Sequence, residues 1–482
     1  MKPIKKLALA FAAVFLCFGA AACAPGDTDK SDFELIAEGT EYVRSEEREP
    51  LPYASFDGLR GYGADVMPVG SFSGPADRIM SWKGNKMEPF VRQSTFDLLA
   101  GAGVNYIVDF LDDYATAPAV VEERMALAGN AGIRTLINYR SAVNMYGAGT
   151  LEPRALADAL KPFLDNPGFG GLYGRDEPYY PNFPWLKMSN ANFDAALELL
   201  SEETGVRQKA ILYTNIVGPA APSYALNGYD YSSTMAYDYY MEGYLGTKPN
   251  YLMYDFYPMS INGYHQEYFR SNSYIRGAAE KAGIPWWGFV QVGWNFDHKN
   301  GRPPTEGEFH WNWNTVLAYG AKGLCFFPGA WPWWLSNTEI GFDENSLVNP
   351  YGTKNIWWHY AHKDAAQLRA VDGYLMQAKH VGLIATGDSP VPIPEADLLG
   401  DGWRELTGVT GDPALIGCFD YMGRTALYAV NNSPQKDGAR ITLKFGQKYG
   451  YDVIQRGETV SVAGTSLPLV LNGGEAALVV LK

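Results

Sequence analysis

Between residues 56 and 378, short apolar runs alternate with longer stretches in which apolar residues recur at helical spacing. Read as strands, the short runs cover 59–66, 104–110, 133–139, 170–174, 209–216, 251–257, 286–292 and 323–327. Helix-period stretches between them include 119–131, 152–163, 193–203, 266–282 and 307–319. Helix-breaking glycines stand ahead of several strands, at Gly103, Gly132, Gly283 and Gly320. Alternation of this kind builds a parallel α/β sheet. Eight strands over roughly 320 residues match a (β/α)8 TIM barrel, a fold of about 200 to 400 residues. A doubly wound open sheet is the other option, but no GxGxxG or GxxxxGK[ST] loop follows any strand.

The texture changes over 379–482. Turns rich in Gly, Pro and Asp separate short alternating runs at 415–419, 425–430, 440–445 and 476–481, which predicts a small all-β sandwich closing the chain.

At the other end, Lys2, Lys5 and Lys6 precede an uncharged apolar run over 7–22, the pattern of a secretory signal. The run ends Ala20-Ala21-Ala22-Cys23, which resembles a bacterial lipobox, with Ala where Leu is usual three positions before the Cys. The resemblance implies that residues 1–23 are a lipoprotein signal with Cys23 as the lipidated N-terminus. Residues 24–55 would then be a tether at the bacterial cell surface. Plain cleavage after Ala22 is the alternative and gives a secreted protein. No later stretch approaches the ~18 apolar residues of a membrane helix, so membrane contact is expected only through the lipid.

The chain has 482 residues, with 39 Lys and Arg against 53 Asp and Glu, a charge of −14. Removing residues 1–22 takes away three lysines, leaving 36 against 53, or −17. Such an acid surplus repels a phosphate backbone and excludes nucleic acid as the partner. Cys325 and Cys418 lie in apolar runs of different domains and are expected to be buried free thiols. No Cys or His spacing fits a metal site, and no cofactor is expected.

In a barrel, functional side chains come from the C-terminal ends of the strands. Those ends offer Asp65, Asp109 with Asp112 and Asp113, Asn138, Asp176-Glu177 with Tyr179 and Tyr180, and Asn215. Further along come Asp255 with Tyr257, Gln291 with Trp294, and the loop Trp331-Pro332-Trp333-Trp334. Carboxylates and amides pair with sugar hydroxyls, while aromatic rings stack on the apolar faces of sugar rings. A chain with 13 Trp and 32 Tyr is well supplied for a carbohydrate partner.

The segment Gly170-Gly171-Leu172-Tyr173-Gly174-Arg175-Asp176-Glu177-Pro178 resembles the strand-four motif of clan A glycoside hydrolases, in which Asn-Glu-Pro or Asp-Glu-Pro carries the general acid/base. Asp255-Phe256-Tyr257-Pro258, Gln291, and Pro304 to Glu308 leading into Ala318 to Gly323 resemble later parts of such barrels. Residues 474–481 resemble the last strand of their accessory sandwich. The resemblance implies that Glu177 is the acid/base and that the strand-six and strand-seven ends line the sugar. It departs at strand seven, where these enzymes carry a nucleophilic Glu and this chain has Gln291, which cannot form a glycosyl ester.

Three readings follow. Asp255, Asp65 or Asp109 could serve as the second carboxylate. Asp176-Glu177 could act as the Asp-Glu pair of family 20 hexosaminidases does, with Tyr254-Asp255 similar to the strand-six pair of family 18 chitinases. Or the protein only binds sugar. A structural Asp-Glu-Pro turn is the plain alternative for Glu177, and Glu306 and Glu308 fit a helix start. The expected function is hydrolysis of an extracellular oligo- or polysaccharide, with Glu177 protonating the leaving oxygen and Asp255 or Asp176 supporting the anomeric centre. Asp65, Asp109, Asn138, Tyr179, Asn215, Tyr257, Gln291, Trp294 and Trp331 are the expected sugar contacts. The alternative is a non-catalytic cell-surface glycan-binding lipoprotein.

Overall fold

A computed structural model describes residues 53, 56–77, 79–82, 85–144, 149–220, 234–293, 301–332 and 346–482. Cys23, Trp294, Trp333 and Trp334 lie outside the described residues. Eight parallel strands form the first sheet: β1 Val69–Phe72, β2 Tyr106–Asp113, β3 Arg134–Asn138, β4 Phe169–Asp176, β5 Ile211–Asn215, β6 Leu252–Tyr254, β7 Trp286–Gln291 and β8 Leu324–Phe327. Their order, β6-β7-β8-β1-β2-β3-β4-β5, leaves β5 and β6 at the two edges. A parallel bridge between Ile216 and Tyr254 joins these edges, with the Ile216 N–H donating to the Met253 carbonyl at 2.8 Å. The ring is thereby closed, as the alternation predicts.

Helices follow the strands on the outside: α1 Gln93–Gly101, α2 Pro118–Asn130, α3 Pro153–Leu160, α4 Phe183–Thr204, α5 Thr234–Leu245, α6 Tyr268–Ala282, α7 Glu306–Ala318 and α8 Ile356–Gln377. Left-handed Gly283 (φ +69°) ends α6, where the sequence places a breaker. The first strand is displaced from its expected position. Residues 59–66 form turns because Gly58 and Gly61 take φ +103° and +72°, which interrupt any extended run. The strand itself, Val-Gly-Ser-Phe, is four residues with little β signal of its own.

Aromatic side chains fill the ring. Phe72 on β1 meets Tyr213 on β5 at 6.2 Å and Phe289 on β7 at 6.3 Å, across the barrel rather than along its wall. Phe110, Tyr173 and Phe327 complete this layer. A lower layer packs Tyr106 against Trp287 at 5.7 Å, and Trp287 stacks on Tyr251 at 4.3 Å. Room for these rings comes from β1: a Cβ at Gly70 would overlap the Tyr106 ring.

The last seven strands are β9 Lys379–Thr386, β10 Leu406–Gly411, β11 Ala414–Tyr421, β12 Arg424–Asn431, β13 Ala439–Gln455, β14 Glu458–Leu471 and β15 Ala476–Leu481. They form a separate antiparallel sheet, the expected C-terminal all-β domain. The long β13 changes register between Lys444 and Tyr449, pairing with β10 on one side of that break and with β15 on the other. Period-two alternation divides two cores. On β12, Ala426, Tyr428 and Val430 join the barrel's core, whereas Leu427 and Ala429 join a core of the sheet's own. Helix α7 lies in the seam. Its Trp311 Nε1 donates to Asn432 at 2.8 Å, and its Asn314 donates to the Gly474 carbonyl at 3.0 Å and accepts from Tyr428 Oη at 2.6 Å. Cys325 and Cys418 are buried free thiols.

Gly70→Ala is expected to destabilise the protein by about 1–3 kcal/mol through overpacking. Adding Tyr106→Leu should recover part of that loss, because the two changes meet at one contact. Urea midpoints of both single variants and the double variant check this, and simple additivity would count against the packing.

Candidate active site

The site forms where β4, β5 and β6 end side by side. On β4 the pairing with β5 slips: Tyr173 faces Tyr213, but Arg175 faces Thr214 and Asp176 faces Asn215. One extra residue, Gly174, is therefore accommodated in β4 as a bulge that brings Asp176 abreast of Asn215. Ring closure sets Asp255, one residue beyond β6, beside the same asparagine.

Asn215 is almost fully buried, and its side-chain nitrogen bridges the two acids. Nδ2 donates to Asp176 Oδ1 at 3.1 Å and to Asp255 Oδ1 at 2.9 Å. The opposite amide orientation would turn a carbonyl oxygen onto two carboxylates, so the acids fix the amide as firmly as it fixes them. Tyr213 Oη, from the aromatic layer below, also donates to Asp176 Oδ1 at 3.1 Å. Tyr213 stacks on Tyr173, whose Oη accepts the Asp176 N–H at 3.1 Å.

Electrostatics follow from this packing. Burial, and then the charge of Asp255, push Asp176 up to about 7. Hydrogen bonds from Asn215 and Tyr213 and the charge of Arg175 oppose the rise without cancelling it. Burial holds the Tyr257 phenol well above its ordinary value, reinforced by Asp255, Asp176 and Glu177, so this ring stands within the field of all three acids. Cys325, deeper in the barrel, is likewise pushed up by burial and then by Asp176 and Asp255, and stays a thiol.

Glu177 follows at φ +46°, a left-handed conformation that costs about 1–3 kcal/mol for a residue with a side chain. The next residue is Pro178, which disfavours helical conformations before it. Two hydrogen bonds hold the turn. The Glu177 N–H donates to the Asn215 carbonyl at 2.7 Å, and Tyr240 Oη donates to the Pro178 carbonyl at 2.7 Å. The half-buried Glu177 adds its charge to the forces that raise Tyr240 and Tyr257.

Thus Asp176, Glu177, Asn215, Asp255 and Tyr257 gather at one end of the ring, and several other expected site residues do not. Asp65 precedes β1 and so stands at the opposite end, a consequence of the displaced first strand. Asp109 points outward to α2, where Arg124 Nε holds it at 2.8 Å and Nη1 reaches Asp77 at 3.1 Å and Asp112 at 2.7 Å. Parity explains this, since its neighbours Val108 and Phe110 cannot share its face of the strand. Asp113 accepts from the N–H groups of Ala115 and Arg140. Asn138 donates to the Phe110 carbonyl at 2.8 Å and supports the strand ends. Tyr179 lies 5.8 Å beneath the Arg175 guanidinium, with its N–H on Asn182. Trp331 is fully buried in a small core with Ala76, Phe90 and Ala330, partners too distant in sequence to be foreseen.

Gln291 is fully buried and committed to scaffolding. Its Oε1 accepts from the Met259 N–H at 2.9 Å, and its Nε2 donates to the Arg302 carbonyl at 2.8 Å and the Met259 carbonyl at 3.4 Å. Glu308 is a helix-start residue, as expected. It forms a capping box with Thr305, and Arg302 bonds both its oxygens at 2.6 and 2.7 Å. Tyr213 and Tyr173 escaped the strand-end reading, although alternation points to Tyr213, two residues before Asn215 and on the same face. Tyr240 gave no signal, because α5 is not evident in the apolar pattern.

Among the described residues, no group of three or more His, Cys, Asp or Glu could hold a metal ion. Cavities of about 630 and 430 Å³ open near the start of β5, lined by Asp57 and Lys209 and by Arg60 and Arg134 respectively. They lie at the other end of the barrel from the acids.

Two variants test the geometry. The folded-state pKa of Asp176 is raised from 3.8 to about 7, so the native state binds its proton more tightly than the unfolded chain does. The associated stability is present below about pH 4 and lost as the pH rises through 7. Asp176→Asn should remove that loss. Between pH 4 and 8 the wild type should lose stability relative to the variant, by at most about 4 kcal/mol for three pKa units and less because Asp176 keeps some contact with water. Parallel melting-temperature profiles would refute the raised pKa of Asp176. Gln291→Glu should cost roughly 2 kcal/mol or more, since two carbonyls would then face a carboxylate. Denaturant midpoints measure it, and an unchanged midpoint would contradict the scaffolding role.

The comparisons with known proteins concern the fold. No family model matches the chain, and no curated protein matches it in sequence. Among solved structures, a β-galactosidase from Bacillus circulans sp. alkalophilus superimposes with a TM-score of 0.50 at 9% identity, over 90% of this chain and 100% of that one. A maltogenic α-amylase from Thermotoga neapolitana gives 0.41 at 10% identity, over 86% and 98% of the two chains. The chain thus shares the fold of that β-galactosidase, a TIM barrel followed by a C-terminal all-β domain.

Proposed function

We propose that this chain hydrolyses glycosidic bonds of an extracellular oligo- or polysaccharide. In this reading Glu177 is the general acid, and the Asp176–Asp255 pair supports the anomeric centre. The observation that carries it is the single Asn215 amide holding two carboxylates together beside a strained glutamate. Cleavage places positive charge on the sugar ring and requires a proton at the leaving oxygen. Two facing acids, one raised to about 7, supply negative charge and a proton-bearing partner at the same depth. Tyr257 and the aromatic layer below provide apolar surface for the ring. The leader and Cys23 belong to the same reading, in which the barrel is carried outside the cell on a lipid.

The absence of a carboxylate on Gln291 favours a second reading, a barrel that binds glycan without cleaving it. One experiment separates the two: wild type and Glu177→Gln are each incubated with a glycan library, and both release and binding are recorded. Release by the wild type that falls at least 1000-fold in the variant, with binding retained, is the expected result. Binding without release by either protein would establish the second reading instead.

A further inference from the structure

Helix α5 places Tyr237, Tyr240 and Tyr244 in the interior but leaves Tyr239 55% exposed. That ring is not loose. It stacks on Tyr180, with centroids 4.6 Å apart and planes at 22°, and Tyr180 Oη donates to Tyr239 Oη at 2.6 Å. Tyr180 is in turn seated edge-on against Phe183, at 5.3 Å. Gly243, one turn beyond Tyr239, makes the seat, because a Cβ there would lie 2.7 Å from the Tyr180 ring. Two tyrosines are therefore locked face to face with an apolar ring surface left in water. Tyr180 rests against the edge of the core, whereas the outer face of Tyr239 covers none of it.

The location gives this surface a role. Tyr180 is three residues beyond Glu177. Tyr240, next to Tyr239, is the residue whose hydroxyl holds the Pro178 carbonyl. The pair is thus fixed to the Glu177 turn from both sides. A general acid stands on the leaving-group side of the bond it protonates. A flat aromatic surface joined to the acid's own loop is therefore placed for whatever leaves, and ring stacking suits the C–H face of a pyranose.

We propose that Tyr180 and Tyr239 form a stacking platform for a pyranose of the leaving group, so that the substrate is a saccharide continuing beyond the cleaved bond. This deepens, and rests on, the reading of Glu177 as the general acid.

The test compares two matched substrate sets: glycosyl fluorides of galactose, glucose and N-acetylglucosamine, and tetrasaccharides of the same three sugars. A fluoride leaving group has no ring to stack. Tyr239→Ala is expected to lower kcat/KM about tenfold on the tetrasaccharide that is cleaved, while leaving the fluoride within twofold. Tyr239→Phe, which keeps the ring, should restore most of the loss. Equal losses on both substrates, or no loss on the tetrasaccharide, would overturn the platform. Glu177→Gln in parallel separates the two claims. Undiminished tetrasaccharide cleavage by that variant removes the acid, whereas a platform failure alone leaves Glu177→Gln inactive on the tetrasaccharide; the fluoride needs no proton and does not decide this point. Titration calorimetry covers a wild type that binds without cleaving, with tetrasaccharide affinity expected to fall about tenfold in Tyr239→Ala and monosaccharide affinity to hold. A wild type that neither cleaves nor binds any tetrasaccharide also overturns the proposal.

Discussion

The Asn215 amide sits between two carboxylates that would repel each other across a partly buried gap, and the end of the barrel is organised around that contact. Water would screen such a pair at the surface. Above the aromatic layer, where the acids are half-buried, that screening is reduced, and two donors on one nitrogen take its place. The arrangement needs three strand ends at one height. The bulge at Gly174 raises Asp176 into line, and the Ile216–Tyr254 bridge draws β6 against β5 so that Asp255 arrives on the other side. Ring closure and assembly of the acid pair are consequently one structural event.

Glu177 shows how the same contact extends to strain. A left-handed glutamate before proline persists only if its surroundings over-determine it. Here the Asn215 carbonyl takes the Glu177 N–H while the Asn215 side chain holds the acids, so one residue fixes both the pair and the turn. Tyr240 secures the far side through the Pro178 carbonyl. The two bonds prevent the turn from relaxing and keep the glutamate beside Asp176.

Much of this was legible in the chain. Alternating strand and helix patterns yield the barrel, the change of texture at residue 379 yields the second domain, and strand-end reading selects Asp176, Glu177, Asn215 and Asp255. The losses have separate physical causes. Asp65 fails because two left-handed glycines turn an apolar run into loop. Asp109 fails because proximity to a strand end does not determine which face a residue occupies, and parity sends it to Arg124. Trp331 fails because the residues that bury it, Ala76 and Phe90, lie some 240 to 255 positions away. Tertiary partners of that kind leave no local mark.

Gln291 exposes a dependence that no single motif carries. Its side chain grips the backbone of Met259, four residues past Asp255 and two past Tyr257, and so steadies the loop that delivers both to the mouth. A carboxylate at this place could not donate to the Met259 and Arg302 carbonyls, so that loop would lose part of its anchor. Acid at the end of β7 and an anchored β6 loop are therefore competing uses of one position. In this chain the position anchors the loop, and the acid that pairs with Asp176 comes from the β6 end it steadies. The amide at the end of β7 and the Asp255–Asn215–Asp176 bridge are then two sides of the same arrangement, and neither is interpretable without the other.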